Sequence, residues 1–245
     1  MKTVVIGDLH GRECWKWIVN YEKPDRVIFV GDYFDSFNIK YDDQINNFLD
    51  LVKFKEDGGI DVIMLIGNHD YHYVPYINDR ATSGYQETYA HLIKEIVKLN
   101  EHHLQIAYQM DDFLFSHAGV SVEFMDMHFE KWEENRIVEH LNDLFKYKPL
   151  TFMFNGRDPY GDDTYQTPIW IRPKSLMLAN KTSFLKNQFV QVFGHTPVSK
   201  KIDTKGQHTG GRYYDIDALD SSGEYMIIDE NSIISFNSYK NYVKK

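Results

Sequence analysis

Cysteine occurs once in this 245-residue chain, at Cys14. A lone thiol excludes an intrachain disulfide and a zinc site of the multi-cysteine kind, and it fits a reduced, cytosolic setting. No apolar run approaches the roughly 18 residues that a membrane span needs. Met1-Lys2 leads at once into a strand-like run, so no signal peptide is expected and the protein reads as soluble and cytoplasmic. Positive charge is also scarce: 27 basic residues stand against 36 acidic ones, for a net charge of −9. Such a chain lacks the basic face of a general binder of nucleic-acid backbones. A nucleotide substrate stays open, because bound divalent cations would offset carboxylates locally. Internal repeats, low-complexity tracts and flexible linkers are absent, which predicts one domain over residues 1–245, with a cap-like insertion around 120–168.

What is present begins with short β-branched runs. Thr3-Val4-Val5-Ile6, Arg26-Val27-Ile28-Phe29-Val30 and Asp61-Val62-Ile63-Met64-Leu65-Ile66 are almost wholly apolar, as strands buried on both faces are. Helices are predicted between them, over Glu13 to Tyr21 and over Asp42 to Lys55, where Ile45, Phe48, Leu49 and Val52 recur at helical spacing. This alternation predicts an α/β fold with a parallel sheet and right-handed crossovers. Glu87 to Leu99 predicts a further helix. Leu104 to Tyr108 and Phe113 to Phe115 predict a hairpin, and Ser121 to Phe145 reads as mixed and helical. Ile169 to Ile171, Phe189 to Phe193, Tyr213 to Ile216, Glu224 to Asp229 and Ile233 to Phe236 are strand candidates.

The chemistry gathers where strands end. Gly7-Asp8-Leu9-His10-Gly11, Gly31-Asp32-Tyr33-Phe34-Asp35 and Gly67-Asn68-His69-Asp70 follow the first three runs. Ser116-His117-Ala118-Gly119 and Gly194-His195-Thr196-Pro197 follow two later ones. Carboxyl ends of parallel strands share one sheet edge, where ligand sites form. Asp8, His10, Asp32, Asn68, His117 and His195 offer carboxylate, imidazole and amide oxygen, a mixed set suited to Mn²⁺, Fe, Zn²⁺ or Mg²⁺. Taken singly these residues are ordinary: Asp8 would suit a helix N-cap, and Asp32, Asp35 and Asn68 would suit turns. One carboxylate can bridge two ions about 3.5–4 Å apart, and such pairs serve phosphoester hydrolysis.

In this order the five blocks resemble those of the calcineurin-like metallophosphoesterases, nearest to the bacterial and phage serine/threonine-type protein phosphatases. The resemblance spans residues 7 to 197 and reaches Tyr213-Tyr214-Asp215-Ile216-Asp217. It implies a four-layer αββα sandwich with mixed sheets and a site at the carboxyl ends of the strands. It implies two divalent ions, Mn²⁺ foremost. Asp8 and His10 would bind the first, Asp32 would bridge both, and Asn68, His117 and His195 would bind the second. A bridging hydroxide would attack phosphorus, with His69 as general acid oriented by Asp35. Asn68 and Arg172, the latter in Pro168-Ile169-Trp170-Ile171-Arg172-Pro173, would hold the phosphate.

Two positions depart from the phosphatase pattern. Asp35-Ser36-Phe37 stands where Asp-Arg-Gly is usual, so one arginine is missing, and Asp70 stands where Glu is usual. Arg12 and Arg80 are the candidates to supply the charge. The expected activity is hydrolysis of phosphomonoesters, phosphoprotein Ser/Thr among them. The alternative is a nucleotide or nucleic-acid phosphoesterase on the same site, such as a dinucleoside polyphosphate hydrolase or phosphodiesterase. The tyrosines from Tyr71 to Tyr89 would suit base stacking as well as plain loop packing, and Tyr147, Tyr160 and Tyr165 carry the same two readings. A non-catalytic scaffold would typically lose ligands or the acid, and here every such position is filled. His72, His91, His102, His103, His128, His140 and His208 fit no motif and are expected at the surface, and Cys14 is expected to be a buried small side chain.

Overall fold

The computed structural model describes residues 1–77, 83–155, 163–181, 185–199 and 212–242. Arg80, Tyr160 and His208 lie outside the described residues. The described strands are, in chain order, β1 (Thr3–Ile6), β2 (Arg26–Phe29), β3 (Asp61–Leu65), β4 (Leu104–Gln105), β5 (Ala107–Met110), β6 (Phe113–Ser116), β7 (Val190–Phe193), β8 (Arg212–Asp215), β9 (Glu224–Ile228) and β10 (Ile234–Ser238). The helices are α1 (Cys14–Glu22), α2 (Tyr41–Glu56), α3 (Asn68–Tyr71), α4 (Ala90–Asn100), α5 (Val122–His128), α6 (Ile137–Tyr147), α7 (Pro173–Ala179) and α8 (Leu185–Gln188).

The strands form two mixed sheets, ordered β10-β9-β1-β2-β3-β4 and β5-β6-β7-β8. In the first, β1 to β4 run parallel and β9 lies antiparallel against β1. In the second, β6, β7 and β8 run parallel and β5 closes a hairpin on β6. Strand side chains alternate faces, and the alternation builds the layers. Val5, Ile28 and Leu65 pack with Phe113, Phe115, Val190 and Val192 in a core between the sheets. Their neighbours Val4, Val27 and Phe29 turn the other way, into a core with Trp15 and Ile18 of α1 and Phe48 and Leu51 of α2. Beyond the second sheet, Phe193 and Tyr213 meet Leu176 of α7. The result is the expected four-layer αββα sandwich. Each such side chain taken fully out of water contributes about 1.5–3 kcal/mol.

Two segments differ from the sequence expectation. Leu104 to Tyr108 is not one hairpin strand. Met64 and Leu65 of β3 pair with Leu104 and Gln105, while Ala107 onward pairs with β6, so the chain crosses between sheets at Ile106. The crossing leaves backbone donors unpaired by strands, and Asn142 Oδ1 of α6 accepts from the N–H of Ile106 and of Ala107, at 3.0 and 3.1 Å. Ile169 to Ile171 is a turn rather than a strand: the N–H groups of Trp170 and Ile171 both return to the Thr167 carbonyl. A short buried apolar run does not by itself distinguish the two. Among the described residues no helix is long and apolar enough to cross a membrane.

Candidate metal centre

The loops after β1, β2, β3, β6 and β7 meet at one edge, and two glycines make the approach close enough. A Cβ on Gly67 would sit 2.1 Å from Asp32 Oδ1, and one on Gly194 would sit 2.0 Å from Asp8 Oδ1. Only glycine leaves room there for the carboxylates. Asp8, Asp32, Asn68, His117 and His195 are all buried, and His10 is partly so. The His195 N–H donates to both Asp8 oxygens, at 3.0 and 3.2 Å, tying β7 of the second sheet to β1 of the first.

The imidazoles are fixed by backbone carbonyls, which can only accept. His117 Nδ1 donates to Val30 O at 2.9 Å, His195 Nε2 to Trp170 O at 3.1 Å, and His10 Nδ1 to Phe34 O at 2.6 Å. Burial, before any other cause, pushes all three rings below their ordinary pKa and keeps them neutral. The remaining nitrogen of each ring is therefore a lone pair. His117 Nε2 and His195 Nδ1 lie 2.9 and 2.8 Å from Asn68 Oδ1, another acceptor. His117 Nε2 is 3.4 Å from Asp32 Oδ1, and His10 Nε2 is 3.6 Å from Asp32 Oδ2. Acceptors crowded on acceptors repel unless a cation lies between them. Adjacent ligand atoms of a small divalent ion, each about 2.0–2.1 Å from it, are themselves about 3 Å apart.

Two donor groups emerge, each with its ligand atoms within 4.8 Å of one another: Asp8, Asp32 and His117, and His10, Asp32 and His69. Asp32 belongs to both. The charge balance points the same way. Burial, then Asp217, Asp32 and Asp215, push the Asp8 carboxyl well above the usual range. Burial and then Asp32 push Asp217 up to about 7. This excess of buried carboxylate is what bound cations relieve, so the donor set fits divalent metal.

His69 is held differently. Its Nδ1 donates to Asp35 Oδ2 at 3.0 Å and its N–H to Asp32 Oδ1 at 3.0 Å. Burial alone would lower it, but Asp32 and the Asp35 hydrogen bond outweigh burial and hold the ring above its ordinary pKa. Asp70 proves to be a staple: its carboxylate accepts from the N–H groups of Asp32, Tyr33 and Gly67, at 2.8, 2.7 and 2.9 Å.

The site opens into a cleft of about 470 Å³, lined among others by Asp8, His10, His69, Arg12, Arg172 and Phe37. Arg172 Nη1 donates to His195 O and Thr196 Oγ1, at 2.9 and 3.1 Å. Arg12 pairs with the exposed Asp220 at 2.7 Å. Phe37, where the usual pattern has a glycine, stands 77% exposed at the rim. Asn68 lies inside the donor cluster. Tyr71 and Tyr73 are core residues, and no described tyrosine lines the cleft, so of the two readings of these tyrosines the described ones follow packing rather than base stacking. The surface expectation fails for His72, which is buried and bonded to Asp35 Oδ2 at 2.8 Å. Its spacing from His69 is i,i+3, which on one helical turn places both rings on one face, and that was the available signal. His91, His102 and His128 are exposed, and His103 and His140 are half-buried. Cys14 is half-buried at the start of α1, its thiol pushed up to about 12 by burial.

The sequence pattern of the calcineurin-like phosphoesterases matches residues 1–228. This chain is a calcineurin-like phosphoesterase. The phosphoesterase is accordingly a metal-dependent hydrolase of phosphoric esters, with a phosphorylated substrate. Among solved structures, the cold-active protein tyrosine phosphatase of the psychrophile Shewanella sp. superposes with a TM-score of 0.62 at 15% identity, over 96% of this chain and 80% of that one. A Saccharomyces cerevisiae protein serine/threonine phosphatase superposes with a TM-score of 0.57 at 13% identity, over 97% and 80%. At these identities the likeness shows the fold. No curated protein sequence matches the phosphoesterase.

Proposed function

We propose that the phosphoesterase hydrolyses phosphomonoesters, phosphoprotein Ser/Thr side chains among them, at a binuclear centre. The observation that carries this reading is the carboxylate of Asp32, whose Oδ2 lies 3.6 Å from His10 Nε2 and whose Oδ1 lies 3.4 Å from His117 Nε2, beside the Asp35–His69 pair. Asp8 and His10 would hold one ion, Asn68, His117 and His195 the other, and Asp32 both, with Mn²⁺ the first candidate. Cations bound there supply Lewis acidity toward phosphate oxygens and a nucleophile from water of lowered pKa.

The chain's own residues supply the rest. Arg172 and Asn68 orient the phosphate, and Arg12, at the cleft wall, offers the cation that the Asp35-Ser36-Phe37 stretch lacks. His69 keeps Nδ1–H on Asp35 and delivers the Nε2 proton to the departing alkoxide oxygen. A panel of p-nitrophenyl phosphate, its bis ester, a phosphopeptide, a dinucleoside polyphosphate and cyclic nucleotides, run with Mn²⁺, tests the reading. Monoester turnover supports it, and preference for the bis ester or a nucleotide replaces it with the nucleotide phosphoesterase.

A further inference from the structure

Asp35 carries more than its bond to His69. Its Oδ2 also accepts from His72 Nε2 at 2.8 Å, and its Oδ1 accepts from the Tyr73 hydroxyl at 2.6 Å. The carboxylate and the His72 side chain are almost wholly buried, at 0 and 1% exposure. Asp35 is also a non-glycine residue at φ 64°, in the left-handed region. Such a backbone persists where surrounding contacts over-determine it. A carboxylate bonded only to His69 could rotate about its own side-chain torsions, and three donors on two oxygens remove that freedom.

The donors are themselves fixed. The His72 ring sits edge-on to Tyr73 and to Tyr85, at 4.5 and 4.8 Å. Tyr73 stacks on Tyr85 at 5.3 Å, and its hydroxyl accepts from the N–H of Gln86 at 3.0 Å. That segment continues back to Ser83, on the cleft wall. It passes so near that a Cβ on Gly84 would lie 2.8 Å from the Asp35 carbonyl oxygen.

From this we infer that His72 is a positioning residue: it locks Asp35 so that His69 presents Nε2 to the leaving group. The inference rests on the reading of His69 as the acid. In the step concerned a hydroxide oxygen bonds to phosphorus as the ester P–O bond breaks, the electron pair of the broken bond goes to the ester oxygen, and that oxygen takes the His69 Nε2 proton. His69 is left neutral, with Nδ1–H still on Asp35. His72 is buried and is not among the residues that line the cleft, so its effect scales with how much the leaving oxygen needs a proton.

The test compares phenyl phosphate, whose leaving group needs protonation, with p-nitrophenyl phosphate, whose leaving group needs little, on Mn²⁺-loaded protein. His72→Phe fills the aromatic cage without a donor, and His72→Gln restores an N–H near the place of Nε2. His72→Phe is expected to lower kcat on phenyl phosphate by about 10–100-fold, with KM and bound metal unchanged and a much smaller loss on p-nitrophenyl phosphate. His72→Gln is expected to recover most of it. Tyr73→Phe, which opens no cavity, is expected to show the same signature if His72→Phe does not fold. Equal losses on both substrates, no loss, or no advantage of Gln over Phe overturns the positioning role while His69→Asn keeps its leaving-group signature. If His69→Asn itself shows none, the acid assignment falls and this inference with it.

Discussion

His195 Nδ1 lies 2.8 Å from Asn68 Oδ1, although 127 residues separate them and their strands belong to different sheets. The pair brings two acceptors together, and His117 Nε2 joins them at 2.9 Å. A site that crowds lone pairs in this way is built around a cation.

Replacement of the shared carboxylate therefore acts on both ions. Asp32→Asn is expected to cut metal content measured by elemental analysis, and to cost more than the roughly 10–100-fold that loss of an outer partner costs. Full metal occupancy in this variant would show that Asp32 does not bridge.

Asp70→Ala is expected to destabilise the fold by at least about 3 kcal/mol, because three buried backbone N–H groups lose their acceptor at about 1–3 kcal/mol each. Denaturant unfolding of the metal-free protein measures this without interference from the centre. A change within about 0.5 kcal/mol, the range of an ordinary surface substitution, would remove the staple role.

Much of the site is legible in the sequence because its ligands follow glycine-terminated strands, a pattern local in the chain. Asp8, Asp32 and Asn68 each stand one residue after the glycine that ends such a run. What is not legible depends on contacts between loops. Asp70 reaches back to Tyr33, and His72 to Asp35, and neither partner is implied by composition or period. The split of β4 from β5 is hidden for a similar reason, since the acceptor that permits the crossing at Ile106 comes from Asn142 on a later helix.

Acid stability offers a test away from the centre. Burial alone would raise Glu22, but Lys2, Tyr225 and Asn237 outweigh it and hold the carboxyl below its ordinary value. Tyr225 and Asn237 bond its Oε1 at 2.5 and 2.9 Å, and Lys2 pairs with Oε2. A carboxyl lowered in the folded state contributes stability that is fully present above the ordinary value of 4.5 and is lost as pH falls through the folded value. Glu22→Gln is expected to be less stable at neutral pH and to lose less between there and the acid range. Parallel unfolding curves for both proteins across this window would contradict the assignment.

The most direct measurement is hydrolysis of p-nitrophenyl phosphate and phenyl phosphate by chelated and Mn²⁺-reloaded protein, beside His69→Asn with its metal content determined. Chelation is expected to abolish turnover and reloading to restore it. His69→Asn is expected to keep its metal yet lose about 10²–10⁴-fold on phenyl phosphate. Turnover that survives chelation, or a His69→Asn protein that loses its metal instead of its proton transfer, would overturn the metal-dependent mechanism with His69 as its acid.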